Sequence, residues 1–493
     1  MENILNAFVF PVLPLTAGIL IFFGFFRGNN IITRRFTKYF SILYFIYAIL
    51  LVLNYNTNFE LQYMVQNNDR VFLGFDILGT LLSALIAFII LICVMVSKST
   101  LHKKHRLYYS FILFFESAFM FMLAAQDFYL FCGALFFEIF SAYVLIANFS
   151  DSKAHRTARN YLTLNIFCAI VLSISFALLS AVFLKNSLHP DMINLAESGY
   201  EVSHNIQAVL FFALLIISSA KLPLFPLHKP LSGVIENSCP HCCFIFLGEF
   251  ILGFFIFVKF AMYALSGIFV SFAPAAAIWG IFNILYFGIL ALGQKELKKS
   301  FAYFCFSQTS VSLTALASLN TDGICASVLN CISLGLIFLG LFLCYAFAIQ
   351  IFKTSKLPFM GGLAAHAPKL AALCFILTLA GANTPLTINF VSRFLCLLSG
   401  FSTQIYSQNT IWICTVFTLL GFILGMIYLI KVFQNIFFGI NENNMQKTCD
   451  LLRHRWAALL LVCIPVVFFG AAPQYLGTLL SKYADMIISM FLI

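Results

Sequence analysis

Apolar residues run through this chain in long blocks separated by short polar links. In order, the blocks predict fourteen spanning helices near 4–26, 39–55, 77–97, 107–126, 128–148, 161–184, 206–227, 240–262, 274–292, 300–319, 324–352, 369–401, 410–438 and 456–472. Each reaches the length, about 17 residues or more, that carries an α-helix across a hydrocarbon core of about 30 Å. Several run longer, which leaves room for tilt or for a break.

Two blocks carry such a break. In the seventh, Val209 to Ala220 holds no charge, and then come Lys221, Pro223 and Pro226. A proline inside a helix removes a backbone donor and crowds the carbonyl four residues earlier. In lipid the freed groups must face protein or water. The twelfth block breaks at Gly381-Ala-Asn-Thr-Pro385 and carries Arg393. Interrupted helices at matching places in two five-helix halves predict an inverted repeat with sites between the parts. Helices five apart run oppositely through the membrane, as such a repeat requires. The expected organisation is therefore helices one to three in 1–106, a first repeat in 107–262, a second in 263–438, and helix fourteen with an apolar tail in 439–493. That tail, Tyr475–Ile493, suits the membrane interface.

Composition agrees. The chain has 493 residues, of which 62% are hydrophobic and 9% charged. This excludes a soluble globular domain and a disordered chain. The net charge of +10 would suit nucleic acid, but in a membrane protein it reflects basic cytoplasmic loops. Twenty-one basic residues fall in one alternate set of loops: Arg27, Arg34, Arg35, Lys38, Lys98, Lys103, Lys104, Arg106, Lys153, Arg156, Arg159, Lys229, Lys295, Lys298, Lys299, Lys353, Lys356, Lys369, Lys447, Arg453 and Arg455. The other set holds two, Arg70 and Lys185, beside the acids Asp69, Asp191 and Glu201. The asymmetry places the first set in the cytoplasm or matrix and both termini outside. A miscounted helix would break the alternation. Met1 to Phe26 lacks a basic leading region, so the first helix is expected to stay. The fifteen cysteines lie mostly in apolar runs, which is no disulfide framework.

Ionisable residues inside spanning helices are costly and mark function. They are Glu116 on helix four, Glu138 on five, Lys221 on seven, Glu249 on eight and Arg393 on twelve. His228, in the same broken segment as Lys221, joins the candidates for a proton pathway. Lys259 and Lys431 stand nearer helix ends, where lysine can snorkel. Glu138 and Lys221 are the expected pair. A lysine whose pKa is lowered by burial and raised by a carboxylate can take up and release a proton. The plainer readings are a snorkelling Lys221 and neutral, hydrogen-bonded carboxyls at Glu138 and Glu249. Arg393 keeps its proton and is expected to be a fixed countercharge. Cys239-Pro-His241-Cys242-Cys243 is the one metal-like cluster; it lacks the haem-attachment order and a second ligand pair. No glycine-rich nucleotide fingerprint or iron–sulfur spacing is present, so no cofactor or metal is expected and redox chemistry falls to other subunits.

Lys221-Leu-Pro-Leu-Phe-Pro-Leu-His228 resembles the seventh-helix motif of the antiporter-like subunits of respiratory complex I, shared by the related Mrp cation/proton antiporters. In that family the lysine is a central proton-pathway residue. Gly74-Phe-Asp76 resembles the family's lead-in to helix three. Ala291-Leu-Gly-Gln-Lys-Glu-Leu-Lys298-Lys-Ser-Phe-Ala302-Tyr303 resembles its Ala-x-x-Gln-x-Asp-Leu-Lys-Arg-x-Ile-Ala-Tyr run. Gly361-Gly362-Leu363 with Pro368 fits the lead-in to helix twelve. Pro385-Leu-Thr-Ile-Asn389-Phe390-Val391 resembles Pro-Gly-Thr-x-Asn-Phe-Val, and Gly470-Ala-Ala-Pro473-Gln474 the family's ending. The last two favour the chain M type over the Mrp type. The chain also departs from the pattern. An ungapped match puts Phe136 at the helix-five glutamate, and two residues turn a helix by about 200°, which would aim Glu138 elsewhere. The helix-eight lysine falls on Ile251, near Glu249. Family histidines fall on Gln308 and Leu334, and the helix-twelve glutamate or lysine is Arg393.

The resemblance implies an all-α polytopic antiporter-like subunit that moves protons, driven by a redox arm it lacks, in the company of other membrane subunits. The alternatives are an Mrp-type subunit, exchanging protons with a cation such as Na⁺, and a diverged subunit that fills a membrane arm without transport. The expected location is the bacterial inner membrane or the mitochondrial inner membrane.

Overall fold

A computed structural model describes residues 2–24, 30–56, 61–67, 70–100, 104–149, 154–185, 189–198, 203–403, 407–439 and 450–489. Arg27, Asp69, Lys103, Lys153, Glu201, Lys447 and the last four residues of the expected apolar tail lie outside the described residues. The chain divides chiefly into two compact units, 1–238 with 244–271, and 272–488 with 239–243.

The first unit holds α1 (Glu2–Phe22), α2 (Asn30–Leu53), a hairpin of β1 (Gln62–Asn67) and β2 (Arg70–Phe75), α3 (Ile77–Thr100), α4 (His105–Ala124), α5 (Phe128–Phe149) and α6 (Ala154–Lys185). After the short α7 (Met192–Ser198) come α8 (His204–Lys221), α9 (Lys229–Asn237) and α10 (Phe244–Ile256). The chain then continues as a π-helical turn pair over Phe257–Ala264. Helix α1 lies against α4, α4 against α5, α5 against α6, and α6 and α10 against α8. Two prolines, Pro11 and Pro14, sit inside α1. Pro14 cannot donate to the carbonyl of Phe10, four residues back. The Tyr44 hydroxyl of α2 donates to that carbonyl at 3.0 Å, so the buried acceptor is satisfied from a neighbouring helix.

The hairpin is absent from the sequence reading. Its strands pair antiparallel, Gln62 opposite Phe75 and Val65 opposite Leu73. It ends on Asp76, whose Oδ1 accepts the Gly79 N–H at 2.7 Å and starts α3, satisfying a helix-terminal donor.

The second unit takes up α11 (Ser266–Gly293) after its first turns, then α12 (Leu297–Thr309), α13 (Val311–Leu316), α14 (Thr321–Phe352), the short α15 (Leu363–His366), α16 (Pro368–Gly381), α17 (Ile388–Ser402), α18 (Gln408–Phe437), α19 (Arg453–Ala471) and α20 (Gln474–Ser489). Helix α14 is the buried axis, against which α13, α16, α17 and α19 lie. The tail forms an amphipathic helix that buries Leu476, Leu480, Tyr483 and Ile487.

Eleven helices among the described residues are long and apolar enough to cross a membrane, with shorter apolar helices at Ala7–Phe22, Pro368–Gly381 and Ile388–Ser402. The seventh and twelfth expected spans are interrupted, at 222–228 and 382–387. The tenth, expected as one helix over 300–319, is two, α12 and α13, divided at Ser310. No proline or glycine announces that division.

Candidate functional site

The first unit gathers its ionisable residues at the break in the seventh span. Helix α8 ends at Lys221, and the following Leu222 N–H still reaches Ser218 O at 2.7 Å before Pro223 stops the ladder. Lys221 is fully buried. Its ammonium donates to Glu138 Oε2 on α5 at 3.0 Å and to Glu249 Oε2 on α10 at 2.7 Å. Both carboxylates are buried as completely as the lysine. Tyr161 of α6, also buried, closes the group. Its hydroxyl donates toward Glu138 Oε1 at 3.3 Å and toward Glu249 Oε1. Four helices thus contribute one side chain each to a buried polar cluster.

Gly253, one turn after Glu249, makes this closeness possible. A Cβ there would stand 2.7 Å from Leu222 N and 2.9 Å from the Lys221 carbonyl carbon. A glycine lets α10 approach the α8 backbone where any side chain would hold it off. The same turn then carries Glu249 to the ammonium. In a low-dielectric interior such an ion pair holds only if each group is matched, and removing one partner costs about 3–5 kcal/mol.

The sequence candidates separate in the structure. Glu138 and Lys221 meet as expected. The register of the ungapped match does not hold: Phe136 is 37% exposed and Glu138 fully buried at the lysine. Lys221 does not snorkel to the surface. Glu249, read from sequence as near the family's helix-eight position, is a second partner of Lys221. His228 lies across the break at the start of α9, buried, with its ring stacked on Phe225. Glu116 is fully buried on α4, and neither carboxyl oxygen finds a hydrogen-bond partner among the described residues.

Arg393 lies in the second unit on α17 and is 3% exposed. Its guanidinium donates to Gln308 Oε1 at 3.0 Å and sits 4.8 Å from the Phe422 ring centre. No carboxylate pairs with it among the described residues, and its Nε and Nη1 have no partner there. The expected countercharge role therefore lacks a charge to counter; a neutral amide and an aromatic face hold the cation instead.

Lys259 overturns its snorkelling assignment. The π-helical segment turns it inward, where its ammonium meets Asp76 Oδ2 at 3.0 Å, with both residues 4% exposed. Lys431 is exposed, as a snorkelling lysine would be. Among the described residues no group of three or more His, Cys, Asp and Glu side chains is placed to hold a metal ion. Cys239 to Cys243 form one 3₁₀ turn leading into α10.

Sequence reasoning missed Tyr161 and Asp76 as members of buried polar groups. Asp76 had a signal in the Gly74-Phe-Asp76 motif. Tyr161 had none: it is one tyrosine in an amphipathic helix start, and only packing aims it at two carboxylates.

Residues 125–421 match the family described as NADH:quinone oxidoreductase/Mrp antiporter, transmembrane. The NAD(P)H-quinone oxidoreductase chain 4 of the Mesostigma viride chloroplast is 25% identical over 491 residues, covering 97% of this chain and 95% of the relative. The NADH-quinone oxidoreductase subunit M of Rickettsia felis is 25% identical over 447 residues, covering 88% of each. Among solved structures, a chain of respiratory complex I from Thermus thermophilus superposes with a TM-score of 0.85 at 21% identity, covering 98% of this chain and 99% of that one. A chain of the Mrp complex from Dietzia sp. DQ12-45-1b superposes with a TM-score of 0.86 at 16% identity over the full length of both. The matched segment contains Glu138, Tyr161, Lys221, Glu249 and Arg393, and spans more than half of the chain: this multi-pass membrane protein belongs to the NADH:quinone oxidoreductase/Mrp antiporter family.

Proposed function

We propose that this chain is the proton-moving antiporter-like subunit of an NADH:quinone oxidoreductase-type membrane assembly. The observation that carries the reading is a single lysine at a helix break, held at 3.0 and 2.7 Å between two fully buried carboxylates. A lysine so placed can pass its proton to a carboxylate and regain it without changing the net charge of the buried interior. The backbone freed at Pro223 supplies the local flexibility and polar groups that broken helices give ion sites. The chain supplies no redox group in this reading; coupling to electron transfer comes from partner subunits. The two repeats proposed for 107–262 and 263–438 belong to the same reading, with Glu138, Lys221 and Glu249 in the first and Arg393 in the second.

The test is proton flux in vesicles reconstituted with the full-length chain in its assembly. Lys221→Ala should abolish flux normalised to assembled protein. Flux at the parent rate in that variant would end the proposal.

The second reading is an Mrp-type cation/proton antiporter subunit, favoured by the superposition on the Dietzia Mrp chain over the full length of both. Co-purification in mild detergent separates the two. Companion subunits that carry flavin or iron–sulfur clusters support the first, and companions without redox groups support the second.

The basic-loop asymmetry supports an orientation with both termini on the outer side of the membrane. Reporters fused at Lys104 and Lys298 should then read inside and one at His189 outside. Lys104 and His189 on the same side would refute it.

A further inference from the structure

The charge count of the Lys221 cluster does not balance. One ammonium and two carboxylates sum to a net negative charge if all are ionised, and all three side chains are at most 1% exposed. Among the described residues no further cation reaches them: the other buried lysine and arginine, Lys259 and Arg393, are engaged with Asp76 and with Gln308. An uncompensated charge in so buried a place is far more costly than binding one more proton. The geometry offers that proton a place. Glu138 and Glu249 face the same Lys221 ammonium and the same Tyr161 hydroxyl, and two bare carboxylates crowded there have only acceptors to offer each other. Tyr161 has one hydroxyl hydrogen and two carboxylate oxygens in front of it. It can therefore donate to only one of them at a time.

We propose that the cluster holds two transferable protons, one on Lys221 and one shared between Glu138 and Glu249, and that Tyr161 relays the shared one. The relay balances. A protonated Glu138 gives its proton to the Tyr161 oxygen as Tyr161 passes its own to Glu249. One carboxyl O–H bond breaks and another forms, the phenol ends as it began, and the net charge is unchanged. The same neutrality holds when Lys221 passes its proton to the remaining carboxylate: a neutral amine then faces two carboxylic acids. A carboxyl on α10 thereby takes the place in the chain of transfers where the resemblance led one to expect a lysine. The role in transport rests on the function proposed above; the stored proton does not.

Infrared spectroscopy of the full-length protein in lipid nanodiscs at neutral pH tests this, because a protonated carboxylic acid has a carbonyl stretch that a carboxylate lacks. The measurement uses a Glu116→Gln background, since Glu116 is another buried carboxyl. That background should show one glutamic acid band that shifts in D₂O. Glu138→Gln and Glu249→Gln should each remove it, because one carboxylate and one ammonium already balance. Lys221→Met should increase it about twofold, since neutrality then requires a proton on each carboxyl. Tyr161→Phe should keep the band, move it to higher frequency for want of a hydrogen bond, and slow proton flux by about 100-fold. No band in the Glu116→Gln background, or a band untouched by both Gln variants, would overturn the proposal. The two readings fail separately: the band pattern without any flux ends the transport role and leaves the stored proton, whereas flux without the band does the reverse.

Discussion

Replacing Gly253 by alanine adds one methyl group where α10 meets the end of α8. The new Cβ would lie 2.7 Å from Leu222 N, 2.9 Å from the Lys221 carbonyl carbon and 2.9 Å from Lys221 Cβ. Two of those atoms are backbone and cannot rotate away. Ordinary carbon contacts want about 3.5–4.0 Å, so α10 must retreat by up to about 1 Å. Overpacking of this kind costs about 1–3 kcal/mol. The gain in helix propensity from glycine to alanine is about 1 kcal/mol and offsets part of it. Gly133 on α5 isolates the propensity effect, since nothing lies within 4 Å of a Cβ built there. Gly253→Ala should therefore unfold about 1–3 kcal/mol more easily than Gly133→Ala in mixed micelles. The retreat also moves Glu249, one turn earlier on the same rigid helix. Its 2.7 Å contact with Lys221 would stretch toward the limit of a hydrogen bond, so proton flux should fall as well. Equal stability and equal flux in the two alanine variants would refute the close approach of α10 to Lys221 as the device that builds the site.

Lys259→Met should destabilise the protein by about 3–5 kcal/mol by leaving Asp76 buried without its cation, and adding Asp76→Asn should recover most of the loss; an additive double variant would show that the pair is not coupled. Arg393→Leu should raise stability by at least about 1 kcal/mol, because among the described residues the cation it removes has a neutral amide, Gln308, and the Phe422 ring as partners and no carboxylate; a loss of stability would reveal an anionic partner for Arg393. Tyr44→Phe should cost about 1–3 kcal/mol by orphaning the Phe10 carbonyl that Pro14 frees, measured by the same unfolding assay, and no loss would mean that another donor takes over.

Hydrophobic blocks made most of the fold legible, because a helix in lipid must bury every backbone polar group within itself. The breaks at Pro223 and Pro385 were legible for the same reason, since proline withdraws a donor wherever it stands. The break at Ser310 was not: Phe306, Ser310 and Leu313 read as an ordinary helical string, and the side chains that take up carbonyls there, Ser310 on Phe306 O and Asn330 on Gln308 O, are seen only in the fold. The π-helical turn at Phe257–Ala264 was equally silent, and it decides that Lys259 points inward. Its partner Asp76 is 183 positions away in the chain, beyond any local pattern. At the site, Lys221 stood out by its cost in an apolar run. Glu138 was found by type but misjudged by register, because an alignment without gaps fixes rotation along a helix only when no residue is inserted. Tyr161 was invisible, since a tyrosine in a spanning helix carries no signal until its hydroxyl meets two acids.

The most direct measurement of the central claim is proton flux, normalised to assembled protein, for Lys221→Arg in reconstituted vesicles. Arginine keeps the positive charge between Glu138 and Glu249 but does not give up its proton. If Lys221 carries protons, this variant assembles and flux is lost. A lysine that only neutralised the two carboxylates would tolerate the exchange, so full flux in Lys221→Arg would contradict the account and leave the chain a structural member of its membrane assembly.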